Sequence, residues 1–302
     1  MKSDLVRTDL KILRGAIDMH LHTRPCLYDF LLDDIEAAQE ARDAGMKAIV
    51  FKGTYESTVG RAYLVNKIVG GIKVFGGIVL NYAIGGLNPF AVNAALNLGG
   101  KIVWMPTGDA ANQIKSFESL GGYKGLMPRG VTFGKYKEVG GISVLTDKDE
   151  LVPDMEYILG SIADFDAILA TGHLSLHEIR ILLKEAKRKG VKKVILTHAE
   201  SRTLKAKTED LAELVQMGAY AEFVYSTISP RWETRTSDEI IAFMRALGPE
   251  HCIISSDLGA LSTPHPVDGL RSLIQTYLEK GVSEEDLEIM LKSNQAKLLG
   301  LE

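Results

Sequence analysis

The chain has 302 residues, of which 46% are hydrophobic and 25% are charged, the proportions of a folded globular enzyme rather than of a disordered chain. The formal net charge of −4 excludes the strongly basic balance of proteins that bind nucleic acid or an anionic membrane surface. A small-molecule substrate is therefore favoured.

The amino-terminal segment, MKSDLVRTDLKILRG, mixes charged and apolar residues and lacks the continuous apolar stretch of a signal peptide. No later segment approaches the length of a membrane span, so we expect a cytoplasmic protein. The two cysteines, Cys26 and Cys252, are too few for a disulfide framework, and we expect both to be reduced.

A repeated pattern runs along the chain, in which a helical segment ends on glycine and a short run rich in β-branched residues follows. ARDAGMKAIVFK and AKRKGVKKVILTH are two clear copies. Gly45, Gly100, Gly190 and Gly218 stand where a helix needs a left-handed residue after its last turn. The pattern predicts eight strands, at residues 16–20, 48–52, 74–80, 102–105, 167–171, 193–197, 219–223 and 252–256.

The predicted strands are continuous apolar runs, and helices alternate with them. This pattern indicates parallel strands that are covered on both faces and joined by right-handed crossovers. The length suits one (β/α)8 barrel of the TIM type, with residues 1–302 forming a single domain of the α/β class.

The spacing of the strands is regular except between the fourth and the fifth, where about sixty residues intervene, far more than a usual crossover. Residues 106–165 are therefore predicted to hold an insertion, with a small hairpin over 142–152 and a helix over 154–162. An insertion after a barrel strand emerges at the catalytic face, where it would act as a lid. An appendage that packs on the side of the barrel is the alternative.

The sequence Asp18-Met-His20-Leu-His22 stands at the end of the first predicted strand. A strand repeats its side-chain direction every two residues, so both imidazoles lie on one face. Two neutral imidazoles that converge suit a divalent metal ion. Taken alone the pair is weak evidence, because a surface strand can carry two histidines by chance.

Three more residues of metal-binding types follow other strand ends: His173 after the fifth strand, His198 after the sixth and Asp257 after the eighth. The chain has only seven histidines, so four of them at these ends are hard to ascribe to chance. Ligands from the first and eighth strands share an ion only if these strands are neighbours. The distribution therefore favours a closed barrel with a site at its mouth.

Together, these positions resemble the amidohydrolase superfamily, which has His-x-His after strand one, histidines after strands five and six, and an aspartate after strand eight. The ending NQAKLLGL, from residue 294, is also similar to that of the superfamily, and the stretches GGIVLN and ATGHLS resemble an uncharacterised bacterial and archaeal subgroup. The resemblance implies that His20, His22 and Asp257 bind the more buried of two ions. It implies that His173 and His198 bind the second, with zinc as the expected metal and manganese, iron or nickel as alternatives.

The sequence departs from this superfamily on strand four, which ends IVWMPT without the carboxylated lysine or glutamate that bridges two ions in many members. Lys52, at the end of strand two, is the substitute, either as an uncharged or carboxylated metal ligand or as a charged group that holds a substrate carboxylate. Without a bridge, one ion is expected, and His198 then orients water or polarises the substrate. The ligands of that single ion would be His20, His22, His173 and Asp257.

A divalent ion lowers the pKa of a bound water from about 15.7 to about 7. The resemblance implies that Asp257 accepts the proton of this water and passes it to the leaving group, while the metal or His198 stabilises the developing oxyanion. We therefore predict a metal-dependent hydrolase that cleaves a C–N or C–O bond of an amide, cyclic amide, lactone or related ester. The catalytic candidates are Asp257, His198 and Lys52.

Further candidates are expected near the same mouth. Glu222 and Asn81 end strands seven and three, and each either fixes the tautomer of a ligating imidazole, contacts the substrate or ties down a loop. The predicted loops that follow strands carry further substrate-contact candidates, for each of which a solvated surface position is the alternative: Arg24, Tyr55, Arg129, Arg231 and His265.

The absence of several sequence motifs narrows the range of possible functions. The chain has no glycine-rich dinucleotide or phosphate-binding motif and no Gly-x-Ser-x-Gly elbow, which disfavours nucleotide cofactors and serine catalysis. A zinc-dependent decarboxylase of the same superfamily is the main alternative. A phosphoesterase, which usually ends in Asp-x-His, and a barrel without catalysis rank third. Barrels of this kind often associate, so the protein could form a homo-oligomer. The sequence does not identify the substrate.

Overall fold

Eight parallel strands form one sheet in which the order of the strands is their order along the chain. A computed structural model describes residues 7–117, 140–230 and 235–302. Each predicted strand is confirmed, and each predicted end lies within one residue of the observed end. The strands are β1 Ile17–Leu21, β2 Ala48–Phe51, β3 Lys73–Val79, β4 Ile102–Trp104, β5 Ile168–Ala170, β6 Lys193–Leu196, β7 Ala219–Val224 and β8 Cys252–Ser255.

Helices alternate with the strands and cover the outside of the sheet. They are α1 Thr8–Leu13, α2 Asp34–Asp43, α3 Val59–Ile68, α4 Pro89–Asn97, α5 Ala111–Phe117, α6 Pro153–Asp164, α7 Leu176–Arg188, α8 Thr208–Gln216, α9 Tyr225–Ile228, α10 Ser237–Leu247, α11 Pro266–Glu279, α12 Glu284–Glu288 and α13 Asn294–Leu299. Within the described ranges, no helix combines the length and the apolar character needed to cross a membrane.

The sheet closes where β1 meets the residues that follow β8. The amide of Asp257 donates to the carbonyl of His20 at 2.7 Å, and the amide of His22 donates to the carbonyl of Leu258 at 2.8 Å. Leu21 and Leu258 form a parallel bridge. These bonds confirm the predicted (β/α)8 barrel, and they place the ends of its first and last strands side by side.

Two apolar cores hold the barrel together. The smaller one fills the interior with residues such as Met19, Val50, Trp104 and Ile253, and α13 adds Leu298 to it. The larger core lies between the outer face of the sheet and the helices. Because each strand contributes to both, the strands read as continuous apolar runs in the sequence.

An irregularity in β1 decides which face its histidines occupy. Ile17 and Met19 belong to the interior core, so strict alternation would send His20 to the opposite face. The pairing of β1 with β2 shifts register between Asp18 and Leu21, and the ring of His20 lies beside the interior ring of Trp104, with centroids 6.4 Å apart. Such a shift reverses the side-chain alternation, which brings the imidazole into the mouth.

The predicted insertion is described in part. Its hairpin is a single antiparallel bridge between Leu145 and Leu151, and the hydroxyl of Ser143 donates to Oε1 of Glu178 on α7 at 2.8 Å. The predicted helix is confirmed as α6, which packs against α4 in the place of a barrel helix. Residues 118–139 lie outside the described ranges, and the role of the insertion as a lid stays a prediction.

The glycines that end helices are placed as predicted with one exception. Gly45, Gly190 and Gly218 have φ angles of 78°, 84° and 104°. After α4 the left-handed residue is Gly99, with a φ of 99°, and the prediction of Gly100 was wrong. A Cβ at Gly100 would lie 2.8 Å from the carbonyl oxygen of Ala95, so this position needs glycine for close packing instead.

Candidate metal centre

His20 is the most buried of the predicted ligands, with a side chain that is 0% exposed. Its Nδ1 lies 3.2 Å from Oε2 of Glu222, and its Nε2 lies 2.9 Å from Oδ1 of Asp257. Burial and the neighbouring Lys52 oppose protonation, but the two carboxylates outweigh them and raise the pKa of His20 to about 9. Glu222 therefore fixes the ring so that Nε2 faces Asp257.

His22 converges on the same carboxylate. Its Nε2 lies 3.1 Å from Oδ1 of Asp257, and the ring of Phe30 stacks on its imidazole with centroids 5.3 Å apart. Burial lowers the pKa of His22, and its buried Nδ1 has no hydrogen-bond partner among the residues that the structure describes. Because His20 and His22 both contact Oδ1 of Asp257, the two histidines point to the same face, as predicted.

His198 and His173 complete an arc of imidazoles. Neighbouring ring centroids lie 5.4 Å apart from His22 to His20, 5.2 Å from His20 to His198 and 5.3 Å from His198 to His173. Burial lowers the pKa of His198 to about 4 and holds that of His173 well below its usual value. Both rings are therefore neutral at pH 7, which is the form that binds a metal ion.

Asp257 lies at the centre of these contacts. The residue has a left-handed backbone, with a φ of 49°, and it follows β8 directly. Its Oδ2 accepts a hydrogen bond from Oγ of Ser226 at 2.6 Å and lies 3.8 Å from Nε2 of His198. Burial opposes ionisation, but the charges of His20 and His198 and the hydrogen bonds of His20 and His22 hold the pKa of Asp257 well below its usual value.

Lys52 reaches the same place from β2. Its Nζ lies 2.9 Å from Nε2 of His20 and 5.9 Å from the ring centroid of Trp104, and the side chain is buried. Burial lowers the pKa of the amine. This position is compatible with both expected roles, a metal ligand and a group that holds a substrate carboxylate.

The donor set fits a divalent metal ion. One ligand atom from each of His20, His198 and Asp257 lies within 4.8 Å of the others. Imidazole nitrogen and carboxylate oxygen are the usual ligands of zinc in catalytic sites, and imidazoles bound to one zinc ion at about 2.1 Å in tetrahedral directions have centroids about 5.2 Å apart. The observed spacings of the rings match this value.

The remaining candidates have other contacts. The amide of Asn81 bonds to Thr107 and Thr54, which braces the loops after β2, β3 and β4. Arg24 pairs with Glu36 at 3.1 Å, and Nδ1 of His265 lies 2.8 Å from Glu40, both on α2. Tyr55 lies beside the ring of Tyr28. Arg129 and Arg231 lie outside the described residues, and a substrate contact for any member of this group stays a prediction.

Three residues near the site have no counterpart among the predictions. Ser226 supports Asp257 from α9, and Phe30 supports His22 from the loop after β1. Glu200 is fully buried two residues after His198, and its Oε1 accepts hydrogen bonds from Val224 and Thr227. Only Glu200 had a signal in the sequence, its place just beyond the strand end that carries His198.

Comparison with known proteins supports this architecture. A family model described as a family of unknown function (DUF6282) matches residues 15–222. No curated protein matches the chain in sequence. An amidohydrolase structure from Pseudomonas aeruginosa has 12% identity and a TM-score of 0.63, over 96% of this chain and 97% of that one.

Two further solved structures share the fold. One from Pseudomonas putida, provisionally named a 2-pyrone-4,6-dicarboxylic acid hydrolase, has 14% identity and a TM-score of 0.59, over 95% of this chain and 98% of that one. A 2,6-dihydroxybenzoate decarboxylase from Rhizobium has 11% identity and a TM-score of 0.54, over 95% and 99%. The predicted resemblance to amidohydrolases is confirmed at the level of the fold.

Proposed function

Because the chain belongs to DUF6282, a family of unknown function, and has an amidohydrolase-type barrel, we propose that it is a metal-dependent hydrolase of a small molecule. The observation that carries this proposal is the convergence of His20 and His22 on one oxygen of Asp257, at 2.9 and 3.1 Å. These side chains come from opposite ends of the chain, and a buried cluster of this composition has a clear chemical use in binding a cation.

Five residues would hold the metal, for which zinc is our first choice: His20, His22, His173, His198 and Asp257. A divalent cation supplies Lewis acidity, which at such sites lowers the pKa of water from about 15.7 to about 7. Neutral His173 and His198 offer lone pairs at pH 7, and Glu222 sets the orientation of the His20 ring.

Asp257 is the proton carrier in this proposal. It is ionised at neutral pH, and its Oδ2 lies on the side of Ser226 and His198, away from the two contacts made by Oδ1. Hydrolysis joins the oxygen of water to the acyl carbon and breaks the bond from that carbon to nitrogen or oxygen. The proton released by water passes through the carboxylate of Asp257 to the leaving atom, so the residue ends the cycle ionised.

His198 and Lys52 have the other assigned roles. In a site with a single ion, where His198 is not a ligand, its Nε2, which lies 3.8 Å from Oδ2 of Asp257, is close enough to polarise a substrate carbonyl beside the proton carrier. Lys52 holds a substrate carboxylate when charged, or joins the metal ligands when uncharged or carboxylated. The amine of Lys52 is the one lysine nitrogen within hydrogen-bond distance of His20 in the described part of the chain.

The test measures metal content and hydrolysis together. Purified protein is analysed for bound metal, stripped with a chelator, reloaded with zinc or manganese, and assayed against amides, cyclic amides and lactones with and without a carboxylate. We expect tightly bound metal, loss of hydrolysis on stripping and its return on reloading. Protein that binds no divalent metal even after reloading would contradict the proposal.

A zinc-dependent decarboxylase is the second candidate. It is favoured by the ligand set, because the compact group of His20, His198 and Asp257 suits one ion and β4 contributes no bridging ligand. Planar aromatic acids are its expected substrates. Release of carbon dioxide from such an acid, by protein that holds about one metal ion and hydrolyses no ester or amide, would favour this reaction.

A further inference from the structure

Asp18 opens the motif DMHLH of residues 18–22, and the proposed chemistry gives it no role. The residue is 0% exposed. Its neighbours Ile17 and Met19 belong to the interior core, so the alternation of the strand directs Asp18 outward. There it lines a small cavity together with Val267 of α11. Asp18 therefore does not face the barrel mouth, and a carboxyl group buried in this way needs hydrogen bonds to offset the loss of water.

The seam between β1 and β8 differs from the other contacts between neighbouring strands. Each of the other neighbouring pairs has a parallel register of backbone partners. The described residues of β1 and β8 form no such register with one another, and the bridge at their seam joins Leu21 to Leu258, beyond the end of β8. On the amino-terminal side of this bridge, buried amides that face the seam need acceptors other than the carbonyl groups of a regular ladder.

One oxygen of Asp18 supplies such an acceptor to both sides of the seam. Its Oδ1 accepts a hydrogen bond from the amide of His20 at 3.2 Å and another from the amide of Ser256 at 3.0 Å. The first amide belongs to β1, and the second comes directly after β8. Both residues are 0% exposed, so neither amide can turn to bulk water instead. The carboxyl group therefore joins β1 to the end of β8 through a shared acceptor.

We propose that Asp18 is a positioning residue that brings the candidate metal ligands His20 and Asp257 together. Its Oδ1 fixes the backbone of His20 itself and that of Ser256, the residue before Asp257. This backbone contact sets two side-chain atoms against each other, Nε2 of His20 and Oδ1 of Asp257, which lie 2.9 Å apart. The inference rests on the proposed metal centre, to which it adds a residue that acts from the outer side of the barrel.

The register shift in β1 gives this contact a physical reason. Between two pairs of partners β1 advances by three residues, from Asp18 to Leu21, while β2 advances by only two. The extra residue is a bulge, which interrupts the ladder locally. The amide of His20 lies within this bulge, and Asp18 accepts its hydrogen bond. Asp18 thus stabilises the irregularity that turns the imidazole of His20 into the mouth.

The contacts of Asp18 show which property of its side chain matters. In the described part of the chain, no lysine or arginine pairs with the carboxyl group, and its buried Oδ2 has no hydrogen-bond partner. The amides of His20 and Ser256 are thus the groups that this side chain serves. An uncharged side chain with an oxygen in the same place can serve them as well. The accepting oxygen at position 18 should therefore matter more than the negative charge.

The experiment compares the wild type with Asp18→Ala, which removes the acceptor, and Asp18→Asn, which keeps it. Circular dichroism first shows that each protein is folded, and competition with a chelator then measures its affinity for zinc. Loss of a group that orients a ligand typically lowers metal affinity about 10- to 100-fold, and we expect this loss in Asp18→Ala. Asp18→Asn should recover most of the affinity. Equal affinity of Asp18→Ala and the wild type, or an equal loss in both variants, would overturn the proposal.

The visible absorption spectrum of the cobalt-loaded protein gives a readout that a change in stability alone does not move, because its bands depend on the arrangement of the ligands. The bands of Asp18→Ala should differ from those of the wild type, and the bands of Asp18→Asn should match them. Glu178→Ala is the control, because Glu178 is also buried and also accepts backbone amides, those of Val144 and Ser175, but at the insertion and α7. A control that changes affinity and spectrum as much as Asp18→Ala would overturn the proposal.

A second variant covers the case in which Asp18→Ala does not fold. Asp18→Thr then takes its place in both measurements, because a β-branched side chain suits a strand and its hydroxyl, one bond nearer the backbone, is too short to reach both amides. An affinity and a spectrum equal to those of the wild type would overturn the proposal. Wild-type protein that binds neither zinc nor cobalt would overturn the proposed metal centre and this inference with it. A wild type that binds metal, with variants that bind it equally well, would overturn this inference alone.

Discussion

His20 and Asp257 are joined twice: the amide of Asp257 donates to the carbonyl of His20 at 2.7 Å, and Nε2 of His20 lies 2.9 Å from Oδ1 of Asp257. The first contact closes the barrel, and the second assembles the candidate metal centre. The same strand ends therefore serve both purposes. Two candidate ligands separated by more than two hundred residues are therefore held together by the closure of the sheet.

Asp257→Asn should remove both metal binding and catalysis. The substitution keeps the size of the side chain but removes the negative charge that His20 and His22 share. We expect metal affinity to fall by more than about 100-fold and the rate to fall by about 10²- to 10⁴-fold. Metal analysis and the hydrolysis assay measure these changes. Asp238→Asn, at an exposed residue paired with Lys280, is the control and should change neither.

Glu222→Gln should weaken metal binding without removing a ligand. The amide no longer offers His20 Nδ1 a charged acceptor, so the orientation of the ring is less well fixed. Loss of such a partner typically lowers metal affinity about 10- to 100-fold. Competition with a chelator measures the affinity. Glu40→Gln, which changes the partner of the outlying His265, is the matched control, and an equal loss in both variants would contradict this role.

Ser226→Ala should slow catalysis and leave the metal bound. Its hydroxyl donates to Oδ2 of Asp257, and a hydrogen bond to a charged group is worth about 1.5–3 kcal/mol. We expect kcat to fall about 10- to 100-fold, KM and metal content to stay the same, and Ser226→Thr to restore much of the rate. Loss of metal or of the fold in step with kcat would show that Ser226 has only a structural role.

Glu200 should make the stability of the metal-free protein depend on pH. Burial raises its pKa from 4.5 to about 7, so between these values the folded state holds a proton that the unfolded state has lost. The free energy of unfolding therefore falls as pH rises from 4.5 towards 7, by up to about 3 kcal/mol, and levels off above. Urea unfolding of the wild type and Glu200→Gln at pH 5 and pH 8, with a chelator present, measures this effect.

The amide introduced by Glu200→Gln does not titrate, so the stability of this variant relative to the wild type should increase from pH 5 to pH 8. The comparison uses the change with pH, because the buried amide alters the absolute stability in both conditions. A difference that stays constant with pH, or that decreases as pH rises, would contradict the raised pKa. Glu250→Gln, at an exposed residue, is the control and should leave the pH dependence unchanged.

Much of the fold was predictable because its signals are local. Glycine after a helix and a β-branched run after glycine depend on neighbours in sequence, and they located all eight strands. The candidate metal ligands could be located because each lies at a strand end or just after it, as His173 and His198 do after β5 and β6. The barrel then only has to bring those ends to one rim.

Other features depend on contacts between distant segments and have no local signal. The register shift that turns His20 into the mouth follows from the pairing of β1 with β2. The support of Asp257 by Ser226 follows from where the short helix α9 lies against β8. The choice of Gly99 over Gly100 as the left-handed residue depends on packing against Ala95, which the two adjacent glycines do not distinguish in sequence.

Whether these side chains bind a metal ion together is tested by an anomalous-scattering map from crystals of the protein grown with zinc. We expect a peak at the barrel mouth, about 2.0–2.2 Å from Nε2 of His20 and from a carboxylate oxygen of Asp257. The same map would show whether Lys52 is a ligand and whether a second ion lies between His173 and His198. A mouth without a peak, with zinc bound only at other surfaces, would show that His20 and Asp257 do not form a metal centre.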